Sequence, residues 1–354
     1  MFLVPSRSIF SSFPSRGSLR RADLRLIRCF PSTTLSQPFS TSLATNLPSK
    51  NGMTGPSSSG AAPEPEPNKY ESVVGTAPYH TSYTLLRHPK PPSTYPSRLD
   101  ANFSKIGREL MVQAARRKAV VNFWWDGSLE GEECDGAGER YPFLTFYFPT
   151  SEERPSTPGV RIRNGYVTSD QNAEAFFDSP DPDTINTWSD SLDEEIYLLV
   201  CTHGSRDCRC SDRGGVLIEA LHSELASRRE RNKDSSVWNR MKVGEIAHVG
   251  GHKYAANLLV FPFGDWLAQI TPGNVPQVLD AISSRIDFLK HIEDPAGPER
   301  ERIAELQKKL FAPLIVDEAH WRGRSGLTKE EQVQLLRTYT SPEGRRHPWL
   351  LWFR

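Results

Sequence analysis

The chain has 354 residues, with 43 basic and 43 acidic side chains in formal balance. That length suits two ordinary domains and can bury a core without covalent staples. A hydrophobic fraction of 37% with no apolar run of about 18 residues excludes a protein built on membrane-spanning helices. Charge neutrality argues against a dedicated nucleic-acid binder, and five cysteines are too few for a disulfide scaffold.

The balance is uneven along the chain. Residues 1–50 hold seven basic side chains against Asp23 alone, with eleven serines and no glutamate. That segment carries +6 and leaves −6 on residues 51–354. Arg-rich, Ser-rich and acid-poor is the composition of a mitochondrial transit peptide, and Arg28-Cys29-Phe30 has the Arg-x-Phe form of a matrix-protease site. The expected compartment is the mitochondrion, the matrix in particular, with Cys29 leaving on cleavage. Residues 51–74 form the expected linker. Gly, Ser and Pro dominate its first part, which has too little apolar surface to offset the entropy of ordering it. Folded structure is expected from near residue 75.

Residues 75–190 are expected to form an N-terminal α/β domain. Phe103, Ile106, Leu110, Met111 and Ala114 repeat at helical spacing and predict a helix over 103–118. Two apolar, aromatic runs, 119–125 and 143–148, predict buried strands. An acidic, glycine-rich loop between them holds Cys134, read as an exposed free thiol. Residues 178–190 read as a loop and a boundary. Residues 191–292 are expected to form the second domain: a strand over 195–201, a polar loop to 212, a helix over 213–229 and a strand over 243–247. A hairpin of 258–263 with 266–270 turns about Gly264-Asp265, and a helix covers 275–289. This β-α-β-β-β-α order, with a cysteine loop opening the first helix, is a thioredoxin-like layout. Residues 293–354 are expected to be a helical extension, with helices over 297–311 and 328–338 and Trp321-Arg-Gly-Arg-Ser-Gly326 as a turn. No internal sequence repeat is visible. The expected class is α/β, a thioredoxin-like domain preceded by a second α/β domain that fold analogy reads as a degenerate thioredoxin-like unit.

The chemistry concentrates in the second domain. Cys201-Thr-His-Gly-Ser-Arg-Asp-Cys-Arg-Cys210 is followed, after thirty-seven residues, by His248-Val-Gly-Gly-His252. Thiolates and imidazoles suit soft and borderline metals. Two of each can hold zinc or a [2Fe–2S] cluster with one iron on thiolates and one on imidazoles. Short Cys-x2–4-Cys knuckles are usual for zinc, and the eight-residue gap here admits a broader loop. Gly250-Gly251 argues against a helix between the histidines, since each glycine costs about 1 kcal/mol relative to alanine.

These two motifs, with the Leu86-Arg-His-Pro-Lys-Pro-Pro92 and Trp321-Arg-Gly-Arg-Ser-Gly-Leu327 stretches, resemble the sucrase/ferredoxin-like family. Its fungal members are of the "altered inheritance of mitochondria" and "actin patches distal" types. The resemblance runs from about residue 79 to about residue 333. It implies a thioredoxin-like [2Fe–2S] protein with Cys201, Cys210, His248 and His252 as ligands, a one-electron carrier or redox sensor more than an enzyme. A redox protein is the expected partner, while charge and hydropathy leave no case for nucleic acid or a membrane span. Ser211 stands where the family usually has glycine. Cys208 lies at a variable position and His203 in the loop reads as a support. The alternatives are a thiol–disulfide oxidoreductase or thiol quality-control factor using Cys208 and Cys210, and a zinc-stapled interaction module. Neither a phosphate-binding nor a dinucleotide-binding glycine loop is present.

Overall fold

The computed structural model describes residues 72–127, 140–150, 160–178, 185–187, 195–233, 236–292 and 319–340. The proposed transit peptide, the first part of the linker, Cys29, Cys134 and the helix expected over 297–311 lie outside them.

Ten strands form one mixed sheet: β1 Ser82–Arg87, β2 Ala119–Trp125, β3 Arg140–Tyr147, β4 Arg161–Thr168, β5 Ile185–Thr187, β6 Ile196–Cys201, β7 Met241–Ile246, β8 Leu258–Phe261, β9 Asp265–Leu267 and β10 Trp321–Arg324. Their spatial order is β10-β9-β8-β6-β7-β2-β1-β3-β4-β5. The helices are α1 Lys105–Arg116, α2 Ala173–Asp178, α3 Cys208–Arg231, α4 Ser236–Arg240, α5 Val275–Ile292 and α6 Lys329–Thr340.

The order β2-β1-β3-β4 in the first half matches β7-β6-β8-β9 in the second. In each half a helix crosses between two parallel strands, β1 with β2 and β6 with β7, and antiparallel strands follow. The two halves therefore share one strand topology although no sequence repeat is visible. The halves join through antiparallel pairing of β2 and β7, Trp124 opposite Ile246 and Trp125 opposite Glu245.

The sheet curls. Phe146 on β3 stacks on Phe261 on β8 with centroids 4.7 Å apart, although four strands lie between them in the sheet order. Tyr83 on β1 lies 5.1 Å from the same ring. An inner core forms there from Tyr83, Leu85, Trp124, Phe146, Leu199, Cys201, Ile246, Phe261 and Trp266. Leu217, Leu221 and Leu225 of α3 and Val278, Leu279 and Ile282 of α5 cover Ile196, Leu198 and Val200. Ile106, Leu110 and Ala114 of α1 cover Leu86, Val121 and Phe123.

Three expectations change. The Trp321–Arg324 segment is strand β10, paired with β9, and not a turn. Its polar composition hides burial: Arg324 and the Trp321 indole N–H both bond to the fully buried Asp265 carboxylate. Strand β5 interrupts the loop expected over 178–190. Helix α3 starts five residues early because Asp207 caps it, its carboxylate accepting from the Arg209 N–H at 3.1 Å.

Candidate metal centre

β6 ends at Cys201 and delivers its thiol into the inner core, 1% exposed. Cys210 lies in the first turn of α3, also fully buried. Gly214 lets that helix approach β6: a Cβ there would lie 2.4 Å from the Cys201 carbonyl oxygen. His248 follows β7 and its Nδ1 lies 3.8 Å from Cys210 Sγ. Ligand atoms of Cys201, Cys210 and His248 all fall within 4.8 Å of one another. The structure thus brings three of the four expected residues together. The His252 ring is 5.7 Å from the His248 ring, at the start of a 3₁₀ turn, His252–Tyr254. Its side chain is 46% exposed and its Nδ1 lies 3.6 Å from Asp207 Oδ2.

The donors influence one another. A hydrogen bond from the Cys210 thiol, followed by bonds from His248 and the Val249 N–H, holds the Cys201 pKa well below the ordinary thiol range despite burial. Cys210 is pushed up, first by Cys201 and then by burial. Two thiols in one dry site do not both ionise without a cation between them. Asp207 is pulled down to about 2, chiefly by its hydrogen bond from Arg209.

Residues outside the motifs hold the histidine loop. His203 is 1% exposed; its Nδ1 accepts from the His248 N–H at 3.3 Å and its Nε2 donates to the Pro96 carbonyl at 2.9 Å. Burial lowers its pKa, which suits this neutral tautomer. The loop role expected of His203 is what the structure has, and the contact ties the first half of the chain to the site. Arg322 of β10 donates to the Gly250 carbonyl, Asn257 Oδ1 and the Thr76 carbonyl. Asn257 donates in turn to the Gly251 carbonyl at 3.1 Å. The roles of Arg322 and Asn257 were not visible in the sequence; the one clue was that the tryptophan–arginine stretch belonged to the resemblance.

Cys208 is exposed, whereas Cys210 two positions on is buried. Two steps along a helix rotate a side chain by about 200°, so these thiols face apart. Ser211 sits within α3 and its hydroxyl donates to the Cys208 carbonyl at 2.8 Å, so its presence leaves the helix unbroken. A separate cleft of about 660 Å³, lined by Arg87, Trp124, Asp126, Tyr197, Arg229 and Lys242 among others, contains none of the four expected ligands.

A curled mixed sheet with buried thiols at a strand end and a helix start defines a thioredoxin-like α/β protein with a metal-competent site. The profile described as sucrase/ferredoxin-like matches residues 73–292, more than half of the chain, and the chain belongs to that family. It is 38% identical over 86 residues to altered inheritance of mitochondria protein 32 of Meyerozyma guilliermondii, covering 23% of this chain and 28% of the relative. It is 28% identical over 121 residues to actin patches distal protein 1 of Saccharomyces cerevisiae, covering 32% and 36%. The chain thus aligns with about a third of the length of these curated relatives. Among solved structures, a thioredoxin-like [2Fe–2S] ferredoxin from Aquifex aeolicus aligns at 14% identity with a TM-score of 0.20, over 30% of this chain and 88% of that one.

Proposed function

We propose that this chain is a mitochondrial [2Fe–2S] protein of one-electron transfer or redox sensing, its cluster held by Cys201, Cys210, His248 and His252. The convergence of two buried thiols and the His248 imidazole at one end of the inner core carries this reading. The donor set fits the group. Cys201 already favours the thiolate, and the Val249 N–H is aimed at its sulfur, as hydrogen bonds tune iron–sulfur sites. His252 stands one ring beyond His248, with Asp207 near its Nδ1. A carboxylate there orients the imidazole with Nε2 left for metal.

When bound, the cluster supplies one reversible electron, at a potential that the ligand charge sets. Two thiolates bring half the negative charge of a four-cysteine set, so the potential is expected above the roughly −400 mV of plant-type ferredoxins. The chain's own work is to keep the thiols dry and hold the Gly250-Gly251 loop in place through Arg322 and Asn257. Membership of a family with relatives named for mitochondrial inheritance supports the compartment, together with the basic, serine-rich residues 1–50. No helix among the described residues is long and apolar enough to cross a membrane.

Anaerobic purification with iron and sulfide counting and EPR of the reduced protein tests the proposal. About two irons and two sulfides per chain are expected, with Cys201→Ser losing the cluster and His252→Ala shifting the spectrum. Stoichiometric zinc with no iron, or spectra unchanged in both variants, would overturn it.

A further inference from the structure

Both cysteines of the site are buried and His252 is half exposed. The imidazole end is therefore where the site meets solvent. The loop and helix that carry Cys210 bear Arg206 before α3 and Arg209 and Arg213 on its first turns, and Lys253 follows His252; Arg206, Arg213 and Lys253 are exposed. Arg213 Nη1 donates to the Ala255 carbonyl at 3.1 Å, which sets its guanidinium against the His252–Tyr254 turn. Two acids lie on the same loop and helix, and Glu245 of β7 accepts from the Thr202 hydroxyl at 2.6 Å. Asp207 is engaged by Arg209 at 3.0 Å, and Asp212 is exposed on α3. The collar is net basic, while residues 51–354 as a whole carry −6. A basic ring on an acidic molecule orients a charged visitor by sign, and local charges dominate within a Debye length of about 10 Å at 0.1 M salt.

We propose that this collar is the docking face for the electron-exchange partner, and that the partner is a protein presenting an acidic surface. The proposal rests on the cluster reading above for its redox meaning. The cations are spread round an exposed ring and do not converge on a cavity, which suits an extended carboxylate-bearing surface more than a compact anion. Docking there places the partner over the half-exposed imidazole and not over the buried sulfurs.

Two measurements on the full chain separate this idea from the cluster reading. The first needs no cluster. The exposed Cys208 thiol shares the first turn of α3 with Arg209 and reports the field around that turn. Its thiolate attacks a disulfide reagent, forming a mixed disulfide and releasing one thiolate, and mass spectrometry of the Cys208 peptide follows the rate. With the dianionic reagent 5,5′-dithiobis(2-nitrobenzoate) the rate should fall about tenfold between roughly 10 and 200 mM salt; with dicationic cystamine it should rise. Arg206→Glu should weaken or invert both trends. Arg116→Glu, at the far end of α1, changes net charge equally and should leave them intact.

The second uses the loaded protein. One electron passes from the dithionite-reduced cluster to ferricyanide, giving ferrocyanide and the oxidised cluster. That rate should fall with salt, and oxidation by cationic tris(phenanthroline)cobalt(III) should rise. Salt trends of the opposite sign in both assays, following the net acidic charge, would sink the proposal. Correct trends at Cys208 with no iron in the protein would sink the cluster reading and leave the basic collar standing. Identical effects of Arg206→Glu and Arg116→Glu would show that net charge alone acts, and would also overturn it.

Discussion

His80 sits among three aromatic rings, with centroids 5.3 Å from Tyr83, 6.0 Å from Phe148 and 5.9 Å from Trp266. Its Nδ1 donates to the Pro78 carbonyl at 2.8 Å, and its Nε2 is buried with no hydrogen-bond partner among the described residues. Burial lowers its pKa from 6.5 to about 4. The unfolded chain takes up this proton near pH 6.5 and the folded chain only near 4. Between those values the unfolded state binds more protons, so stability is full above pH 6.5, falls as pH drops, and levels off below about 4. Urea unfolding at pH 7 and pH 5 should show this one residue removing about 2 kcal/mol. His80→Asn should lose that much less over the same interval, and equal losses would mean the folded protein already carries the charge. Cys201, Cys210 and His248, which the structure brings together, stood out at this scale because their types and spacing are rare together. Arg322 did not, because its hydrogen bonds to Asn257 and Thr76 span 65 and 246 positions and no local pattern encodes such reach.

At the scale of elements, the long apolar runs were readable and the mixed ones were not. β2 was found to the residue, and the cores of β6 and β8 lay within the predicted strands, because continuous hydrophobic runs mark buried strands. β4, Arg-Ile-Arg-Asn-Gly-Tyr-Val-Thr, carries arginines whose stems and charges lie on aromatic faces: Arg163 stands 4.7 Å from the Phe176 ring and Arg161 5.6 Å from the Tyr147 ring. Such strands look polar in sequence and packed in space. The Gly250-Gly251 loop makes a sharper test. Both glycines have positive φ, 81° and 67°. A Cβ on Gly250 meets nothing within 4 Å, whereas one on Gly251 would lie 2.6 Å from Arg322 Nη2. Gly250→Ala should therefore cost only the left-handed backbone penalty, about 1–2 kcal/mol. Gly251→Ala should cost visibly more in the same unfolding assay and perturb the environment of His252. Arg322→Met should be the most damaging of the three, about 3 kcal/mol or more, because it strands the Gly250, Thr76 and Asn257 oxygens that the guanidinium satisfies. Equal losses for the two glycine variants would remove Arg322 as the loop's buttress.

At the scale of the whole molecule the two halves share one strand order and differ in chemistry. β1 pairs with β2 from Ser82–Ala119 to Arg87–Trp124, and β6 with β7 from Ile196–Met241 to Cys201–Ile246. Overlaying these registers puts Arg87 where Cys201 stands and Asp126 where His248 stands. In the first half those two positions form an ion pair at 3.0 Å on the wall of the separate cleft, so a salt bridge stands where the second half has a thiol and an imidazole. This explains why topology repeats while sequence does not: the strands need only apolar inner faces, and the site residues are free to diverge. The shared inner core makes the halves interdependent, with Phe146 and Tyr83 of the first against Phe261 and Trp266 of the second. Phe146→Ala, in the half with no expected ligands, should destabilise the metal-competent half by about 3–5 kcal/mol. Urea unfolding of the full chain, followed by tryptophan fluorescence and by alkylation of the buried Cys201 and Cys210 thiols, should give coincident transitions, both shifted to lower denaturant by the same amount. A fluorescence midpoint that moves while the alkylation midpoint stays at its wild-type value would show two independent folding units and refute the shared core.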